Sequence, residues 1–341
     1  MAQNDIITFQ ERIARIMNDE KFRRFCEIER LKTSFDESFS MAEKIAKIDI
    51  SDIQFNDRLI MGQFFTPEET ERDVFAFYQT VDQLAPDEIS LTQILQDNKK
   101  YLVSKPSNDS TRSYCKSAIL PDGTPLREIY INLEGRIGDT ETAIHESCHS
   151  MCADFLKLQY NKDPRNSEIP TVLADKLSSM FLKSVHPELA LHYIENNKFR
   201  QILNVKKARE CLADGLIIKV MTGEQKLEDI MSTYGELFKQ FPDILPQCLD
   251  RIENFDFQPM YEKRYLIPQA IALEVVERNK DKPKVLAKQF KEIITHNHEW
   301  TQEDILEYLE LPNADKLIDN YVAKFPKRMQ EIEAETKLHE S

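Results

Sequence analysis

Residues 145–149 read His-Glu-Ser-Cys-His. Residues four apart on a helix stand one turn apart on one face, so His145 and His149 can present two imidazole nitrogens to a single metal ion. Glu146 stands about 100° further round the helix, where its carboxylate reaches a water beside the metal instead of the metal itself. This is the donor pattern of a catalytic zinc whose third ligand comes from elsewhere in the chain. The chemistry it supports is hydrolysis. The ion lowers the pKa of a coordinated water towards ~7, and the glutamate takes the proton as the water attacks a carbonyl and passes it to the leaving amine.

The third donor must lie on a neighbouring element. Glu168, at the start of a further helical stretch, suits a helix–loop–helix that closes on one ion. Asp163 in the intervening loop, His186 and His192 are further candidates, whereas Asp154 sits too close to His149 on the same helix to converge readily.

The elements that must position these residues are legible around the motif. Asp139 or Thr140 is a suitable N-cap for the motif helix. Ile144, Cys148, Met151, Cys152 and Phe155 form its apolar stripe, with the two histidines on a different face. Cys148 and Cys152 belong to that stripe and read as small core hydrophobes, not as zinc ligands. Upstream, Cys115 to Gly138 is the best β candidate. It has a turn at Pro121-Asp122-Gly123-Thr124 and alternation through Glu128-Ile-Tyr-Ile-Asn-Leu133. Its Tyr130–Leu133 segment is expected to be an edge strand that aligns an extended peptide.

Before it, residues 5–103 read as helical and 104–111 as a Pro/Ser/Asn/Asp loop. A helix begins near Glu168-Ile-Pro170, since proline is tolerated in a first turn. From about 187 helices follow one another between prolines, and the acidic end from Glu331 to Ser341 reads as a frayed tail. The chain therefore divides into an N-terminal helical region (1–110), a catalytic core (111–280) and a C-terminal helical region (281–341). The fold class is mainly α, with a small β-sheet next to the motif helix.

Composition agrees. Only seven glycines occur in 341 residues, about 2 % against the usual ~7 %, which disfavours tight hairpins. A net charge of −14 without a basic stripe argues against a nucleic-acid partner. No apolar run approaches the ~18 residues of a membrane span, and the first residues lack the pattern of a signal peptide. Six scattered cysteines without a Cys-x-x-Cys pair read as reduced thiols. The expected location is cytoplasmic, with export by a non-classical route left open.

Three blocks resemble the thimet-oligopeptidase family of zinc metallopeptidases, closest to its oligoendopeptidase F branch. The first is Glu128-Ile-Tyr-Ile-Asn-Leu-Glu-Gly135 with Asp139-Thr-Glu-Thr-Ala-Ile-His-Glu-Ser-Cys-His149. It is similar to the family's strand and its Asp-Val-x-Thr-Leu-x-His-Glu-x-Gly-His helix. The second is Ser167-Glu-Ile-Pro-Thr-Val-Leu-Ala-Asp175, which looks like the block whose leading glutamate is the third zinc ligand. The resemblance thus selects Glu168 and makes Asp175 a partner for a ligating histidine. The third runs from Pro259 to Glu274. By its similarity to the branch's tyrosine-rich segment, Tyr261 and Tyr265 inherit hydrogen bonding to the substrate or the developing oxyanion.

The resemblance covers residues 115–280. It implies a zincin-type helical metallopeptidase fold, one Zn2+ per chain, and a peptide substrate cleaved at internal bonds. Two departures stand out. The glycine before the second histidine is Cys148, and family members are generally longer, with a helical region roofing a deep channel. A reduced roof opens an alternative, a protease dedicated to one protein target as a secreted or effector factor. From a different class, the chain could be a non-catalytic binding protein on a decayed peptidase fold.

Overall fold

With so few glycines, the chain has few places for tight turns, and its described residues are mainly helical with one small sheet. The computed structural model describes residues 11–12, 14–15, 18–31, 35–99, 102–106, 113–119, 125–155, 168–240, 244–253 and 263–340. In chain order come α1 (Glu20–Leu31), α2 (Phe35–Ala46), α3 (Asp57–Met61), α4 (Pro67–Leu84) and α5 (Leu91–Asn98). Three strands follow, β1 (Leu102–Pro106), β2 (Tyr114–Ile119) and β3 (Pro125–Leu133). Then come α6 (Asp139–Phe155), α7 (Glu168–Val185), α8 (Ala190–Met221), α9 (Leu227–Gln240) and α10 (Ile244–Glu253). The chain closes with α11 (Leu266–Asn279), α12 (Pro283–His296), α13 (Gln302–Tyr308) and α14 (Ala314–Glu340). None of the described helices is long and apolar enough to cross a membrane.

Two compact units divide these elements: Met1–Ile53 with Gln201–Leu266, and Gln54–Arg200 with Ile267–Ser341. In the first, Leu212, Leu216, Ile217 and Met221 of α8 pack with Phe22, Ala46, Phe238, Cys248 and Leu249. Arg209, itself buried, donates from Nε to Ala46 O at 3.0 Å and from Nη2 to Ile48 O at 2.6 Å, satisfying carbonyls at and just past the end of α2.

The second unit carries the motif. Its sheet has the order β1-β3-β2. β1 runs parallel to β3, from Leu102↔Ile129 to Pro106↔Leu133, and β2 runs antiparallel to it, from Tyr114↔Tyr130 to Ile119↔Pro125. Two expectations are corrected here. The stretch 104–111 is expected to be a loop, but 104–106 belong to the strand Leu102–Pro106, because pairing with a distant strand supplies hydrogen bonds that its short local pattern does not signal, while 107–111 lie outside the described residues. Tyr130–Leu133 is not an edge, since β3 is the middle strand. Beyond the end of its pairing with β2, the Asn132 N–H donates to Ser113 Oγ at 3.0 Å.

The turn from β3 into α6 is fixed at several points. Gly135 has φ +77°, and a Cβ there would stand 2.7 Å from Phe65 O. Its own carbonyl accepts from Phe64 N at 2.6 Å and Phe65 N at 3.2 Å. Asp139 Oδ2 accepts from Glu134 N at 2.6 Å and Arg136 N at 3.1 Å. The stripe residues Ile144, Cys148 and Met151 are fully buried and Cys152 nearly so. Against them lies α4, which begins in a Thr66/Glu69 capping box. From α4, Tyr78 donates its hydroxyl to Ile144 O at 2.9 Å. At the far end, the expected frayed tail is helical through Glu340. Met329 and Ile332 are buried, and Glu335 pairs with Lys183 at 2.9 Å.

Asp82 secures α5 at its start. Its carboxylate accepts from Leu91 N at 3.0 Å, Thr92 N at 2.9 Å and Ser90 Oγ at 2.9 Å, and Lys291 Nζ lies 3.2 Å away. Burial alone would raise its pKa, but the donors from Thr92, Leu91 and Ser90 outweigh it and hold the carboxyl below its ordinary value. A carboxyl depressed in the fold stabilises above its unfolded pKa of about 3.9, and that contribution is lost as pH falls through the folded value. Asp82→Asn is expected to lower stability by about 1–2 kcal/mol at pH 7. The gap should narrow as pH falls from 7 to the acid side of the folded value, where wild type is protonated too. Urea denaturation at both pH values measures this, and an undiminished gap in acid would contradict it.

Candidate metal centre

Within the second unit, α6, α7 and the first residues of α8, up to Arg200, each bring polar side chains to the same place. On α6, Glu141, His145 and His149 are spaced four apart and share a face. On α7, Glu168 and Asp175 are seven apart, two turns, and also share a face. On α8, Asn196 and Arg200 are one turn apart. Glu168 is the first residue of α7, where the helix dipole and unpaired N–H groups favour a carboxylate.

His145, His149 and Glu168 each offer one ligand atom, and these atoms all lie within 4.8 Å of one another. Glu168 Oε2 is 3.4 Å from His149 Nε2 and 3.8 Å from His145 Nε2. The two imidazoles meet edge to face, with centroids 4.9 Å apart. The side chain of Glu168 is 1 % exposed, whereas His145 and His149 keep 13 % and 19 %, so the group opens outward on the histidine side. Behind it, His145 Nδ1 stands 3.3 Å from Asp175 Oδ1, which directs Nε2 forward. Glu146 is buried at the flank.

The charges match the donor chemistry. Burial alone would lower the His145 pKa, but the Asp175, Glu146 and Glu168 carboxylates outweigh it and raise it to about 9. Burial pushes Glu146 above the ordinary carboxylate range against the pull of both histidines. Asp175 behaves in the opposite way, since His145 and Arg200 overcome burial and hold it low. Two imidazoles among several buried carboxylates form an environment that favours positive charge. Once an ion displaces the imidazole protons, two neutral nitrogens and a carboxylate oxygen match the three-ligand donor set of a catalytic zinc, which leaves a position for a further ligand.

The other candidates for third donor go elsewhere. His186 pairs through Nε2 with Asp73 Oδ2 at 2.7 Å, and His192 packs against Phe64 with centroids 4.5 Å apart. Asp163 and Tyr261 lie outside the described residues, as does the side chain of Asp154. Tyr265 ends a 3-10 turn in the first unit, with Lys207 Nζ 5.7 Å and the Arg264 guanidinium 5.5 Å from its ring centre. A cavity of about 130 Å³, whose lining includes Val74, Phe75, Leu95, Ile129, Ala143 and the acidic Glu68 and Glu71, lies on another side of α6 and takes in none of His145, His149 and Glu168.

Arg200, Glu141 and Asn196 were not found from the sequence. Glu141 carried a signal, because it stands one turn before His145 on the motif's own face. Arg200 carried none, because nothing local says which face of α8 turns towards α7.

No protein-family model matches the chain, and no curated protein matches it at a significant level. Solved structures do. A proposed oligoendopeptidase F from Bacillus anthracis str. Ames is 12 % identical with TM-score 0.57, the match covering 96 % of this chain and 60 % of that one. A proposed peptidase from Chlamydophila abortus is 14 % identical with TM-score 0.56, covering 96 % and 57 %. PZ peptidase A, solved with an inhibitor, is 12 % identical with TM-score 0.53, covering 94 % and 58 %. At these identities the likeness is one of fold. The chain spans about 60 % of the length of the structures it resembles.

Glu168→Gln keeps the shape of the side chain and removes its charge. It is expected to weaken binding of a divalent metal ion, zinc being the one to titrate, by more than the ~10–100-fold typical of losing an outer partner of a ligand. Chelator-competition titration measures this, and unchanged affinity would remove Glu168 from the ligand set.

Proposed function

We propose that this chain is a zinc metalloendopeptidase that hydrolyses internal bonds of oligopeptides. The observation that carries the reading is the convergence of His145, His149 and Glu168, with ligand atoms within 4.8 Å, on a fold shared with peptidase structures. One Zn2+ per chain would be held by the Nε2 atoms of both histidines and by Glu168 Oε2. Bound there, the ion would act as a Lewis acid on water and on the scissile carbonyl.

The chain's own groups supply the rest. Glu146 takes a proton from the attacking water as its oxygen bonds to the carbonyl carbon. It returns that proton to the amide nitrogen as the C–N bond breaks, so acid and amine products leave with all atoms accounted for. Asp175 holds the Nδ1 side of His145, so that Nε2 keeps its lone pair for the ion. Tyr261 and Tyr265 enter on the resemblance of their segment alone, as donors to the developing oxyanion. The thiols of Cys148 and Cys152, which form no disulfide, are in keeping with a reducing, cytoplasmic setting.

Cleavage of a mixed peptide library, with zinc content measured alongside, tests this directly. Wild type is expected to cut internal bonds. Glu146→Gln should retain zinc and lose at least ~10²–10⁴-fold in rate. Bound zinc in both without cleavage in either points to a single protein target or a non-catalytic binding protein. Equal cleavage by both proteins removes Glu146 from its role.

A further inference from the structure

Arg200 and Asn196, one turn apart on α8, reach the same buried carboxylate. Arg200 Nη2 is 2.8 Å from Glu141 Oε2, and Asn196 Nδ2 donates to that same oxygen at 2.9 Å. The other arm of the guanidinium turns to a different acid, with Nη1 3.3 Å from Asp175 Oδ2. The remaining oxygen of that carboxylate, Oδ1, is the one 3.3 Å from His145 Nδ1. Glu141 is 1 % exposed and Asp175 8 %, so both acids are desolvated and depend on the groups that face them.

From this geometry we propose that Arg200 is a positioning residue for the metal centre. It clamps one oxygen of Asp175 so that the other holds His145 with Nε2 presented to the ion. The inference rests on the metal reading above and extends it to a third helix. Each member of the chain of contacts has a separate task. Asn196 orients Glu141, Glu141 anchors one arm of the fork, and the second arm stops the Asp175 carboxylate from rotating. The planar guanidinium is suited to this because its N–H groups diverge at fixed angles towards two acceptors. A lysine at the same place would supply charge without the fork, and one of the two carboxylates would lose its contact.

The arrangement also gives Glu141 a role beyond favouring a helix start. It stands one turn before His145, so the anchor of the clamp and the ligand it serves are built into one face of α6. A change at position 200 is therefore transmitted to His145 through Asp175 and not through the packing of the α6 stripe, which lies on another face.

The test is a double-mutant cycle on zinc affinity, read by chelator competition in wild type, Arg200→Met, Asp175→Asn and the double variant. The metal-free thermal midpoint of each protein is recorded in parallel. Arg200→Met is expected to weaken zinc by ~10–100-fold, as for other partners behind a ligand. Arg200→Lys should fall between it and wild type. In the Asp175→Asn background, Arg200→Met should cost no more than about a further twofold, since the contact it acts through is already gone.

Two results overturn the proposal while leaving the metal site intact: zinc affinity in Arg200→Met within about twofold of wild type, or the same full loss in both backgrounds. Failure of wild type to bind zinc would overturn the metal reading itself, and the clamp with it. If Arg200→Met does not fold, Arg200→Lys carries the same cycle.

Discussion

The Glu168 carboxylate, buried against two imidazoles, sets the conditions that the surrounding helices have to meet. An isolated ionised carboxylate in a protein interior is penalised by several kcal/mol unless opposite charge and hydrogen bonds compensate it. Here its Oε2 lies within 3.8 Å of both His145 Nε2 and His149 Nε2, and the remaining opening faces out past the histidines. Placing it there requires α7 to begin at that residue, where the helix N-terminus favours an anion. It also requires α7 to run along α6, so that Asp175 arrives behind His145 two turns later. One helix pairing thus supplies one candidate ligand and the partner of another.

The packing around α6 is arranged to keep that pairing in register. Its start is set by the Gly135 turn and the Asp139 carboxylate, and its apolar stripe is sealed against α4, where Tyr78 bonds the Ile144 carbonyl. Polar contacts of the buried site come from a neighbouring side, from α7 and α8. Apolar burial on one face and fixed charges on the other hold the helix against rotation. A rotation of some 20° would move both imidazole nitrogens off Glu168 together, because they share one face. Cys148 occupies the position between these faces without competing for the site, since it is fully buried in the stripe.

Local patterns in the chain announce much of this. The spacing of His145 and His149, the stripe of Ile144, Cys148 and Met151, the strand before them and the helix starting at Glu168 are all short-range features. Periodicity and turn chemistry report those directly. What escaped depends on pairing between distant segments. β1 is a strand because β3 accepts it, and β3 is central for the same reason, so neither followed from composition. The clamp at Arg200 depends on how α8 is turned against α7. The course of α14 to Glu340 depends on burial of Met329 and Ile332, which an acidic tail conceals. Likeness to solved peptidases persists at 12–14 % identity, as expected when helix packing and a few polar contacts are what the fold requires.

The central claim is that two histidines and a glutamate, and no cysteine, hold one zinc. X-ray absorption at the zinc edge of the purified, zinc-loaded protein tests it most directly. The expected spectrum has scattering from two imidazoles with nitrogen at ~2.0–2.1 Å, oxygen at ~2.0–2.2 Å and no sulfur. A sulfur shell at ~2.3 Å would place Cys148 or Cys152 on the metal and contradict the site as described, as would a protein that retains no zinc at all.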